Sequence, residues 1–115
     1  MPPMTNFKFG DIVLVPFPFT DQTTTKKRPA LVISSAPYND ERPDIILMAV
    51  TSQVRPTAGI GEARIADWEA AGLIKPSVIK PIVTTIEKHL VIKTLGQLKD
   101  KDRATLDQCL DTILG

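Results

Sequence analysis

With 115 residues the chain has room for one compact domain, 1–115, because two halves would each be too small to bury a stable core. At 43% hydrophobic and 23% charged residues it has the composition of a soluble globular protein. Its longest purely apolar stretch, residues 45–50, excludes a membrane helix, which needs about 20. One cysteine excludes a disulfide framework and a Cys-rich metal site, and fourteen Lys and Arg against thirteen Asp and Glu leave any anion site to a local patch.

No secretory signal opens the sequence, so a cytoplasmic protein is expected. In chain order, the first predicted strand is residues 11–17, rich in β-branched side chains, with Pro16 and Pro18 confining it to an edge or a bulge. A loop over 18–27 follows, then a strand over 29–34. Pro37, Asn39, Asp40 and Pro43 mark residues 36–44 as a turn. The unbroken apolar run that follows predicts a strand over 45–51 buried on both faces.

Residues 62–66 give a weaker strand, and 67–71 a single helical turn that Gly72 ends as a C-cap. Strands are expected over 77–80 and 82–87, while 90–95 fits either strand or short helix. Leu106, Leu110, Ile113 and Leu114 recur at the spacing of one helix face beside Cys109, and Asp100 or Asp102 can cap the start of that terminal helix. Short strands with Pro and Gly punctuation and one terminal helix predict a mainly β (α+β) fold, a small SH3-like barrel capped by helices.

Three blocks in the first half, Gly10-Asp11-Ile12-Val13-Leu14-Val15-Pro16-Phe17, Lys27-Arg28-Pro29-Ala30-Leu31-Val32-Ile33 and Ala49-Val50-Thr51-Ser52-Gln53, are followed by Gly72-Leu73-Ile74-Lys75-Pro76-Ser77-Val78-Ile79, Thr85-Ile86-Glu87-Lys88 and Leu95-Gly96-Gln97-Leu98. In order and spacing these resemble the MazF/PemK toxins across nearly the whole chain. The resemblance implies the toxin of a type II toxin–antitoxin system on a MazF/CcdB-like barrel. It also implies a homodimeric, metal-independent endoribonuclease that cuts single-stranded RNA at short motifs, needs no cofactor and halts translation and growth. A cognate antitoxin would neutralise it with an acidic segment, and operator DNA would be reached only through that antitoxin.

Cleaving RNA through its own 2′-hydroxyl concentrates negative charge on the phosphoryl oxygens in the transition state. An Arg fork can grip two of those oxygens at once. Arg28 is the candidate: Pro29 disfavours a helical backbone at residue 28, and Lys26 and Lys27 complete the chain's only run of three cations. The plainer reading is a solvated strand entry, and the resemblance decides against it.

Thr51 ends the buried strand, with Gln53 on its face and Ser52 on the other. The resemblance places the family's active-site threonine at Thr51. Arg28 and Thr51 are thus the expected catalytic pair, with Lys26, Lys27, Ser52, Gln53, Arg55 and Thr20 expected to bind RNA. The polar loop over 20–25 is expected to be mobile and to touch substrate, although it lacks the glycines of the equivalent loop in other members.

A guanidinium is a poor proton carrier near neutrality, which leaves the acid and base unassigned. His89, the only histidine, reads better as a surface or dimer-face residue than as that shuttle, and Cys109 reads as core. Asp40, Glu41 and Asp44 lack the ligand order of a calcium loop and read as a solvated turn. Trp68 and Tyr38 are both of a type that stacks on RNA bases, and Trp68 reads better as packing the short helix onto the barrel. The rival readings are a CcdB-like gyrase-binding toxin on the same fold and a passive RNA-binding barrel.

Overall fold

The computed structural model describes residues 6–17 and 26–115. The strands are β1 (Asp11–Phe17), β2 (Lys26–Val32), β3 (Asp44–Thr51), β4 (Ala63–Ile65), β5 (Ser77–Glu87) and β6 (Lys93–Gln97). Helix α1 (Ala36–Glu41) precedes β3, a 3-10 turn (Lys88–Leu90) precedes β6, and α2 (Asp100–Leu114) follows it. The strands form one sheet in the order β4-β5-β3-β2-β1-β6, with every neighbouring pair antiparallel. A mainly β fold with helical additions is therefore correct.

β3 is buried on both faces in its middle, as its unbroken apolar run requires. Met48 and Val50 pack with Leu106 and Cys109 of α2, whereas Ile45 and Leu47 join Phe7, Val13, Val15, Ala30 and Val32 in a second cluster. The helix stripe is correct through Ile113, but Leu114 is mostly exposed.

Several expectations are corrected. β1 lies inside the sheet between β2 and β6, not at its edge. Pro16 is tolerated because β6 pairs only with residues 11–14, so at Pro16 the strand has a partner on one side alone. The expected break between 80 and 82 is instead a bulge within β5. Met48 pairs with Val83 and Ala49 with Lys80, leaving exposed Pro81 and Ile82 outside the ladder.

Residues 36–41 form a helix where a turn was expected. Ser35 caps it by accepting the Tyr38 N–H (3.5 Å), and Pro37 falls in the first turn, where its missing N–H costs nothing. The helix holds Asn39 in the interior. Its amide donates to the Phe7 carbonyl (2.9 Å) and the Ser34 carbonyl (3.0 Å), and its oxygen accepts from the Ser34 hydroxyl.

Neither Asp100 nor Asp102 caps α2, whose N-cap is Lys99 without a side-chain bond. Asp102 is buried and its carboxylate accepts the N–H groups of Ala66 and Asp67, both at 2.9 Å. It therefore caps a different element, the helical turn over 67–71. That turn ends as predicted at Gly72 (φ +92°), with Leu73 N–H donating to the Trp68 carbonyl and Gly72 N–H to that of Glu69.

Gly72 also closes the curl of the sheet. A Cβ on it would stand 2.1 Å from the Leu95 carbonyl oxygen, and one on Gly96 would stand 2.3 Å from that of Ala71. The turn after β4 thus lies backbone to backbone against β6, at the far edge of the sheet order.

Beside β4, Glu62 bonds the Gly59 N–H (3.0 Å) and the Lys80 ammonium of β5 (3.0 Å), and these bonds hold its carboxyl below the usual glutamate range. A carboxylate with a lowered folded pKa stabilises above its unfolded value and loses that contribution as pH falls through the folded one. Glu62→Gln should therefore lower the thermal midpoint at neutral pH, and the gap to the parent should close in acid, as followed by circular dichroism.

Candidate active site

The ladder between β2 and β3 runs from Val32↔Leu47 to Ala30↔Ala49 and stops there. The next residue of β2 is Pro29, which has no N–H to carry it further. Arg28 and Thr51 each lie two residues beyond this last pair, Arg28 opposite Val15 of β1 and Thr51 opposite Val78 of β5. The strands part at this point, and a cleft of about 320 Å³ opens between their ends.

Lys27, Arg28, Pro29, Val50, Thr51 and Ser52 form the side of the cleft built by β2 and β3. Arg28 is half-buried; Lys27 and Ser52 are exposed. The Thr51 hydroxyl oxygen accepts the Gln53 N–H (3.1 Å), which uses one lone pair and leaves its O–H to donate into the cleft. That bond also fixes the backbone as the chain leaves the strand.

Leu73, Ile74, Lys75 and Ser77, from the segment that leads into β5, complete the described lining. Leu73 is buried in the core cluster beneath α2, and the C-cap bond to Trp68 fixes where the segment starts. At its other end the buried Ser77 hydroxyl donates to the Lys75 carbonyl (2.9 Å). Between these anchors, Ile74 is 88% exposed and Lys75 is exposed beside it.

Of the residues expected from sequence, the structure brings together Lys27, Arg28, Thr51 and Ser52. Gln53 and Arg55 are exposed and do not line the cleft; the Arg55 carbonyl instead accepts from Arg64 (2.6 Å). Lys26 stands opposite Phe17 in the backbone register, while its side chain, and Thr20 with the rest of the 18–25 loop, lie outside the described residues. Sequence reasoning gave no role to Lys75 and Ile74. The available signal was a cation and an apolar residue bracketed by Gly72 and Pro76.

His89 pairs with Glu87 (3.1 Å), and Glu87 stands opposite Asp44, at the other end of β3 from Thr51. At about 3.3 Å per residue that separates it from the cleft by roughly 20 Å, so it does not serve the cleft as a proton shuttle. Cys109 is buried, its thiol hydrogen-bonds the Gly61 carbonyl (2.8 Å), and burial pushes its pKa up. Trp68 packs against the core. The Tyr38 hydroxyl donates to Asp44 (3.4 Å) and its ring lies under Arg42, away from the cleft. The described lining contains three cations and neither carboxylate nor imidazole.

Solved structures share this architecture. An endoribonuclease in complex with its cognate antitoxin, from a mycobacterial species, superposes with a TM-score of 0.74 at 15% identity, covering 97% of this chain and 96% of that one. The Mycobacterium tuberculosis toxin MazF-mt6 gives 0.72 at 18% identity, covering 90% and 95%. MazF of Deinococcus radiodurans gives 0.72 at 22% identity, covering 96% and 98%. No curated protein matches in sequence. A family model described as the PemK-like, MazF-like toxin of type II toxin–antitoxin systems matches residues 8–114, and the chain belongs to that family.

Proposed function

We propose that the protein is a single-domain endoribonuclease toxin that cleaves single-stranded RNA in this cleft. The observation that carries the reading is that Arg28 and Thr51 line one cleft where the β2–β3 ladder ends, and that the charged side chains among its described lining residues are all cations. The 2′-oxygen attacks the neighbouring phosphorus, the bond to the 5′-oxygen breaks, and a 2′,3′-cyclic phosphate and a 5′-hydroxyl result. Arg28 stabilises the charge that develops on the phosphoryl oxygens, and the Thr51 O–H holds one of them in place. Lys27 and Ser52 support the strand beside them, and Lys26, Gln53, Arg55 and Thr20 complete the proposed RNA-binding set.

Incubating the purified protein with single-stranded RNA in EDTA tests this, with cyclic-phosphate products expected. Intact RNA, or recovery of gyrase from a pull-down, would replace the reading with a passive or gyrase-binding one. A substrate with 2′-deoxyribose at the cleaved nucleotide should bind with nearly unchanged affinity and remain uncut, because only the nucleophile is missing.

The mycobacterial relative bound to its antitoxin and the MazE–MazF complexes of Deinococcus radiodurans support an antitoxin as this chain's protein partner. Contact with operator DNA would come only through it. We place its action in the cytoplasm as a homodimer. Exposed Ile82, Val83, Leu90 and Ile92 on β5 and the segment after it support self-association.

A further inference from the structure

We propose that Lys75 is a second phosphate-binding residue, gripping the RNA backbone beside the phosphate held by Arg28; this rests on the nuclease reading above. A cleft of about 320 Å³ is at the lower end of the roughly 300–1,000 Å³ typical of ligand sites, so a strand reacting there must continue over its rim. Lys75 lines the same cleft as Arg28 and is exposed to solvent.

Three features prepare it for the task. Pro76 disfavours the helical region for the backbone of residue 75. The Ser77 hydroxyl holds the Lys75 carbonyl, while the C-cap at Gly72 fixes the segment's other end. The ammonium is exposed and forms no ion pair among the described residues, so its charge is available to an incoming anion. Lys75 is therefore a binding residue on a rigid support, acting on substrate capture rather than on the reacting atoms.

The test measures cleavage and binding of a fluorescent single-stranded RNA by the full chain across a salt series. Lys75→Ala should raise KM and Kd about 5–10-fold with kcat little changed. It should also flatten the dependence of log affinity on log salt by about 0.7, the share of one phosphate contact on a single strand. Lys75→Arg should restore both, and Lys101→Ala, which removes the same charge from an exposed site on α2, should change neither.

A parent enzyme that cleaves while Lys75→Ala keeps its KM and salt slope would overturn the proposal and leave the nuclease reading intact. A parent that neither binds nor cuts RNA would overturn both. Unchanged RNA affinity combined with weaker binding of polyglutamate would reassign this rim to an acidic protein partner and overturn the phosphate role.

Discussion

Arg28→Ala should lower kcat for RNA cleavage by about 10²–10³-fold, equivalent to roughly 3–4 kcal/mol of transition-state stabilisation, with a much smaller change in RNA affinity. The loss belongs mainly to kcat because the charge that Arg28 meets is greatest when the 2′-oxygen is bonding to phosphorus. Lys27 and Lys75 still attract the backbone in its absence. Arg28→Lys keeps the charge and loses the planar fork, so its activity should fall between the parent and the alanine variant. Thr51→Val, which preserves shape and removes the hydroxyl, should also act on kcat. Single-turnover cleavage under saturating enzyme separates these effects from binding. An Arg28→Ala protein as active as the parent would remove the central claim.

Gly72→Ala should be the most damaging single methyl in the chain. Its φ of +92° is a conformation that an L side chain adopts only with strain of about 1–2 kcal/mol, and the new Cβ would lie 2.1 Å from the Leu95 carbonyl oxygen. Relieving that clash means separating the turn from β6 and reopening the curl of the sheet. Together the costs amount to about 3–5 kcal/mol, a large part of the 5–15 kcal/mol that holds a typical domain. Gly96→Ala meets the same contact from the other side. Gly59→Ala, whose Cβ would meet only the Glu62 side chain at 3.5 Å, is the control and should change little. Urea denaturation followed by fluorescence of Trp68 ranks the three.

Much of this molecule is legible before folding because its strands carry their own signals. Residues 11–17 and 45–51 were placed to within a residue, since β-branched and continuous apolar runs report burial directly. Helix α1 was not, because its buried residue is Asn39, and a short helix held by polar bonds to Phe7 and Ser34 leaves no apolar period to read. Pro81 reads as a break because a sequence does not show that the opposite strand can step past two residues.

The active-site region divides in the same way. Arg28 and Thr51 stand in motif blocks on two neighbouring strands, and both line the cleft where the ladder between those strands ends. Lys75 lies in a block that stands out only through the resemblance, since the fold and not a local pattern brings it to the cleft that Arg28 lines.

The Asp102 carboxylate bonds backbone groups 35 and 36 positions away in the chain, at the start of the turn that leads into the wall bearing Lys75. The other side of the cleft belongs to β2 and β3, which lie much closer in sequence. Closing so long a loop is the slower event, as chains dominated by non-local contacts generally fold later. The two parts of the groove are therefore expected to form in order, the β2–β3 part first and the segment bearing Lys75 when α2 docks. A chain still on the ribosome with α2 in the exit tunnel would then lack part of the proposed RNA site, and should cut RNA poorly until α2 emerges.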